Sequence, residues 1–183
     1  MFTEKGIGGP VVFDLSRLIT EYLPDYNNPV NVTIDLLPKF DTSQLDKEIV
    51  SICSKHPKKT VVATVARFIT KSLAVQLCEL VDVSQSNFCS QLTKKQRKEL
   101  VRLLKSLPLS IVAAAPIDEA TITCGGISTD EIVPETMESK ICKNLYFAGE
   151  IIDVDGPCGG YNLQIAFSTG RLAGMGAAKK LNG

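Results

Sequence analysis

Residues 144–181 read NLYFAGEIIDVDGPCGGYNLQIAFSTGRLAGMGAAKKL, and this stretch decides the fold. Leu145, Tyr146, Phe147 and Ala148 form a continuous apolar run of the kind found in buried parallel strands, and it stops at Gly149 and Glu150. A carboxylate at the carboxyl end of such a strand lies where open α/β sheets bind ligands, which places Glu150 to accept hydrogen bonds from a ribose or polyol hydroxyl. The next loop holds Asp153, Asp155, Gly156, Gly159 and Gly160 and leads into a helix beginning at Tyr161 or Asn162. Lacking a Cβ, the paired glycines let backbone N–H groups approach a ligand, and the helix start adds partial positive charge for an electron-rich group.

That helix carries Leu163, Ala166, Phe167, Gly170, Ala173, Gly174, Ala177 and Leu181 on one face. Each interior Gly costs about 1 kcal/mol relative to Ala, so the small-residue face is expected to pack closely on a β-sheet. The chain's own strands near residue 145 do not make a sheet wide enough for it. In the loop, Asp153 and Asp155 are expected to cap backbone N–H groups. Cys158 has no second thiol close in sequence and reads as a small residue fitting a tight turn. Tyr161 reads either as a wall of the pocket or as a proton donor.

Upstream, residues 1–40 carry short apolar runs broken by Gly and Pro, "GIGGPVVFDLS" and "PVNVTIDLLP", which suit strands and turns around one amphipathic helix at 15–23 with Leu15, Leu18, Ile19 and Tyr22 on a face. From 41 the texture changes. Asp41 with Gln44 forms a capping box, Phe40 and Leu45 a staple, and Leu45, Ile49 and Ile52 a buried stripe that Pro57 brings to an end. Val61, Val62, Val65, Phe68 and Ile69, then Leu73, Leu77, Leu80 and Val81, continue the helical period with a break near 70–72. Thr93 and Gln96 cap a last helix bearing Leu100, Leu103, Leu104 and Leu107. Its "KKQRKE" run is a solvated face, and Lys105 suits the negative end of the helix dipole. Residues 41–107 thus form a small helical bundle inserted into a β-rich unit of residues 1–40 and 108–133, where "LSIVAAAPI" and "ATITCGGIS" read as strands. Residues 134–183 form a third piece of α/β character, and the whole is α+β.

The 183 residues are 44% hydrophobic and 22% charged, an ordinary globular composition. Twenty basic residues balance twenty acidic ones, which names no nucleic-acid partner. Six scattered cysteines without a C-x-x-C pair, and a lone His56 before Pro57 at a helix end, describe no zinc site. Without a signal peptide or a long apolar span, the reading is no membrane, a cytoplasmic location and reduced thiols.

Taken together, "NLYFAGEIIDVDGPCGGYNLQIAFSTGRLAG" resembles the C-terminal FAD signature of the HI0933-like (YhiN/BaiN-like) flavoproteins, and "TITCGGISTDEIVPETMESK" resembles the segment before it. "MFTEKGIGGPVVFDLS" is similar to that family's FT-x-x-G-x-(S/G)-G-P stretch. The resemblance implies an FAD-dependent oxidoreductase with a dinucleotide-binding fold, a barrel-like domain and an inserted helical domain. By position, Gly149 and Glu150 would hold the ribityl or ribose region, and Gly159, Gly160, Tyr161, Asn162 and Leu163 would line the flavin ring, with Gly125 and Gly126 approaching from the other side. A nicotinamide nucleotide, NAD(P)H, stands as a possible electron donor and a small molecule of unassigned identity as the substrate; no catalytic acid or base is visible.

The chain departs from the family in one large respect. No G-x-G-x-x-G follows a strand, and "GIGGP" at 6–10 lacks the spacing and the helix start that would cradle a pyrophosphate. The expectation is a truncated fragment of the flavoprotein, with Met1 an introduced or internal start, weak or absent FAD binding by the chain alone, and self-association through apolar faces left without partners. The competing expectation is a noncatalytic binding or interaction module of β-rich and helical parts.

Overall fold

The computed structural model describes residues 2–3, 6–23 and 28–181. Its elements run β1 (Phe2–Thr3), β2 (Gly6–Ile7), α1 (Pro10–Tyr22), β3 (Val30–Ile34), α2 (Thr42–Lys55), α3 (Val61–Val65), α4 (Lys71–Leu80), α5 (Lys94–Lys105), β4 (Leu107–Ile111) and α6 (Tyr161–Leu181). Helices and strands are mixed, and the chain divides into two compact units, Pro29–Ile111 and Met1–Asn28 with Val112–Gly183.

The unit 29–111 is built from strong local signals. Asp41 accepts from the Gln44 amide at 2.7 Å while the Gln44 side chain accepts from the Asp41 amide at 3.1 Å, and Thr93 with Gln96 repeats the arrangement at the start of α5. Leu45, Ile49 and Ile52 of α2 are buried as the helical period requires, facing a core that includes Val61, Leu77, Leu100 and Leu104. Each such side chain is worth about 1.5–3 kcal/mol relative to exposure. Phe40 meets Phe68 edge to face, ring centroids 5.9 Å apart.

Polar contacts lock the same unit. Arg97, from the charged run of α5, reaches Asp46 of α2 at 2.7 Å. Lys105 donates to the Asp35 carboxylate at 2.7 Å and to the carbonyls of Leu37 and Phe40, tying the turn before α2 to the end of α5. That hydrogen bond from Lys105 is the main cause holding the Asp35 carboxyl below its usual range. β3 pairs antiparallel with β4, Val30 opposite Ile111 and Ile34 opposite Leu107, so residues 29–40 and 108–111 pack with the helices.

Several expectations are corrected here. The helix over 61–69 stops at Val65, a turn follows before α4 opens after Thr70, and Leu80 lies exposed while Ala74, Leu77, Cys78 and Val81 face the core. α1 begins at Pro10, because Pro at the first helical position is preset for the helix and "PVVF" is therefore helical instead of a strand. The strands form two antiparallel pairs, and no barrel closes among the described residues. "ATITCGGIS" contributes a single bridge, Ile127 to Ile152. No helix among the described residues is long and apolar enough to cross a membrane.

The cysteines divide between the units. Cys78 and Cys89 are buried and Cys53 partly so, whereas Cys124, Cys142 and Cys158 are exposed. Burial, then the neighbouring Cys89 thiol, pushes the Cys53 thiol up to about 12, and burial pushes Cys78 to about 11. His56 closes α2 as its C-cap residue, its amide bonding to the Ile52 carbonyl.

Candidate functional site

The unit formed by 1–28 and 112–183 centres on α6, 21 residues long, opening directly after Gly160 as the sequence indicates. Its small buried cluster is Ile132, Met137 and Ile152, with Phe147 and Ala173 packed against it. An apolar cavity of about 420 Å³ lies beside this cluster, between Ile132, Met137 and Ile152 on one side and Ile165, Thr169 and Leu172 of α6 on the other.

The apolar run Leu145–Ala148 does not form a buried parallel strand. Tyr146 bridges Glu138 antiparallel, Leu145 is exposed, and no neighbouring strand flanks the run among the described residues, so its backbone has only the 137–139 turn to pair with. Gly149 sits at φ +77°, a conformation that favours glycine, and donates its amide to Thr169 Oγ1 at 2.9 Å. Thr169 in turn donates to the Ile165 carbonyl one turn back on α6. This pins the start of the 149–151 turn to the middle of the helix. Thr169 lies eight residues beyond Tyr161, about 12 Å along the helix axis from its start.

Glu150 is held by the strap upstream. Its Oε1 accepts from the Thr123 amide at 2.6 Å and the Thr123 hydroxyl at 2.9 Å, and these bonds, the amide foremost, keep its exposed carboxyl below the usual range. The strap continues into Gly126, where an added Cβ would stand 2.4 Å from the Ile151 carbonyl oxygen. Only glycine permits this approach, which lets the Ile127 amide reach that same oxygen at 2.9 Å.

The loop into α6 is more tightly held than its glycine content suggests. Asn162 accepts from the Gly156 amide and donates to the Gly156 carbonyl, both at 2.8 Å. Asp155 does not cap an amide: it pairs with Arg17 of α1, whose Nη1 donates to both carboxylate oxygens, at 2.8 and 3.0 Å, because a charged donor bonds a carboxylate more strongly than a neutral N–H does. Asp14 of α1 accepts from the Cys158 amide at 2.7 Å. Gly159 and Gly160 hold φ +142° and +93°, and the space a Cβ at Gly160 would occupy is open. Tyr161 and Leu163 are exposed, and Asn162 is half-buried.

The glycine pair, Tyr161, Asn162 and Leu163 therefore gather at the helix start, with Gly149 and Glu150 on the turn bonded farther along it. The buried face of α6 is rotated from the expected one. Ile165, Ala166, Thr169, Ala173, Gly176 and Ala177 turn inward, with Gly176 so close to the Thr136 carbonyl that a Cβ would lie 2.7 Å from it, whereas Leu163, Phe167, Gly170 and Gly174 face solvent. Sequence reasoning missed Thr123, Thr169, Asp14 and Arg17. A threonine inside a helix that can bond the carbonyl four residues back was the visible signal for Thr169; the other three act across long sequence separations.

Mixed helix and strand content, with a glycine-rich loop opening a long helix, fits an α+β domain of the Rossmann-like class. Residues 26–176 match the model of the HI0933-like protein Rossmann domain, and the chain belongs to the HI0933-like family. It is 37% identical over 178 residues to a 3-dehydro-bile acid delta(4,6)-reductase of Clostridium scindens, covering 97% of this chain and 43% of the relative. It is 30% identical over 181 residues to a ribosomal RNA dihydrouridine synthase of Haemophilus influenzae, covering 98% and 42%, and 31% identical over 170 residues to one of Escherichia coli, covering 92% and 40%. The chain thus spans about two fifths of the length of these relatives.

Proposed function

We propose that this chain is part of an FAD-dependent oxidoreductase, in which it supplies the wall of the flavin ring and the substrate-side domain. The observation that carries the reading is the opening of α6. Gly159 and Gly160 take conformations that favour glycine, the side of Gly160 is open, and the first amides of a 21-residue helix have no acceptor within the helix. Gly159, Gly160, Tyr161, Asn162 and Leu163 would line the ring, and Gly149 with Glu150 would meet the ribityl or ribose part. The roughly 12 Å between the helix start and the residue bonding Gly149 suits an elongated ligand better than a compact one. The Asp14 carboxylate already occupies the Cys158 amide just before the helix, which suits the edge of a ring and does not suit a pyrophosphate.

When bound, the flavin supplies the two-electron chemistry; the chain's residues bind, orient and exclude water. One relative is named a reductase and another a dihydrouridine synthase, which supports a reduction as the chemistry; a nicotinamide nucleotide is the electron donor this proposal adds. The balanced charge of the chain names no nucleic-acid partner, and the proposed substrate is a small molecule. In the complete gene product, Gly160→Val is expected to abolish flavin retention, read as visible absorbance after gel filtration, with the helical unit still folded. Full flavin retention by that variant would overturn the assignment.

A further inference from the structure

α1 has an unusual relation to its surroundings. None of its described side chains is buried, and Val11, Phe13, Leu15, Leu18 and Tyr22 are exposed. Apolar burial does not explain its placement. Its polar bonds to the loop before α6 do: Asp14 and Arg17 stand three residues apart, on one face of the helix, and they meet Cys158 and Asp155, which are also three apart.

We infer that Asp14 and Arg17 are positioning residues that preset the 155–160 loop, so that the amides of Gly159 and Gly160 face a bound flavin without first being ordered by it. This inference rests on the flavin reading above. The two contacts act from the α1 side, and Asn162 holds Gly156 from the α6 side, so the loop is fixed at Asp155, Gly156 and Cys158, leaving the glycine pair as the short span between Cys158 and the helix. Two glycines are the most costly residues to order, because each loses more backbone freedom than any other residue. Fixing the loop at both ends removes that cost from ligand binding, which is how a rigid loop raises affinity without touching the ligand. The Arg17–Asp155 ion pair also holds the direction of the loop, since Nη1 of Arg17 donates to both carboxylate oxygens and so ties that carboxylate to α1.

The test uses the complete gene product and compares wild type with Asp14→Ala, Arg17→Ala and the exchanged pair Arg17→Asp with Asp155→Arg. FAD affinity is expected to fall about tenfold in each alanine variant, with a changed visible circular dichroism band of the bound flavin. The exchanged pair is expected to recover most of the loss seen for Arg17→Ala. Without FAD, the amides of Gly156, Cys158, Gly159 and Gly160 should exchange hydrogen faster in both alanine variants, while far-ultraviolet circular dichroism confirms that the chain remains folded. A wild-type protein that binds no FAD would overturn both the flavin reading and this inference. Wild-type binding with unchanged affinity and spectrum in the alanine variants would overturn this inference alone.

Discussion

The two compact units differ in how much of their apolar surface they fill. Among the described residues, 29–111 bury 16 side chains in one cluster, whereas the unit of 1–28 and 112–183 gathers 3. The second unit also exposes Leu163, Phe167 and Met175 along α6, and Leu15, Leu18 and Tyr22 along α1. The first is organised by its core. The second is organised by polar ties, Thr123 to Glu150, Thr169 to Gly149, Asn162 to Gly156 and Arg17 to Asp155, which fix loops with little hydrophobic support. A scaffold of this kind is shaped at the glycine loop by hydrogen bonds and leaves large apolar side chains of α1 and α6 exposed around it.

Substitutions separate the two modes of organisation. Leu104→Ala, at a fully buried position, should cost about 2–5 kcal/mol in chemical denaturation of the helical unit. A loss under 1 kcal/mol would mean that this core is looser than it looks. Gly176→Val should cost the other unit about 1–3 kcal/mol, since the Thr136 carbonyl must move, and the signature would be faster hydrogen exchange in residues 132–147. Thr93→Ala should remove about 1 kcal/mol through loss of the α5 cap, with no effect on the glycine loop.

Smaller effects sharpen the contrast. The Lys180 ammonium, foremost, and the Asn144 amide hold Glu138 below its usual range, as Thr123 holds Glu150. Lowered folded-state values mean that their stabilisation is present at neutral pH and fades as pH falls through the ordinary carboxylate range, roughly pH 5 to 3. Glu150 is exposed and Glu138 only half-buried, so solvent screening should keep the slope shallow, and Glu138→Gln should flatten it further in a pH series of melting curves. Phe167→Glu should leave stability within about 0.5 kcal/mol and reduce self-association in sedimentation velocity; an unchanged sedimentation profile would remove the α6 face as its cause.

The helical unit was legible from residues 41–107 because its signals are local. Capping boxes at Asp41 and Thr93 and the 45–49–52 stripe each lie within one helix and need no distant partner. The glycine pair and the start of α6 were legible for the same reason. The absence of a strand at 145–148 and the inward side of α6 were not, because an apolar run reports that something will cover it without reporting what is at hand to do so. Asp14 and Arg17 lay beyond reach of pattern reading: their partners are 144 and 138 residues away, and nothing near them in sequence marks one face of α1 as the bonded face.

The uneven burial of the thiols gives the chain an internal chemical clock. A maleimide applied near neutral pH meets Cys142 and Cys158 at the surface of one unit, while Cys78 and Cys89 are buried in the other, where burial also pushes the Cys78 thiol up to about 11. Modification of the second pair can proceed only as fast as the helical unit opens, so peptide mapping over time would read the lifetime of that core with no dye or inserted label.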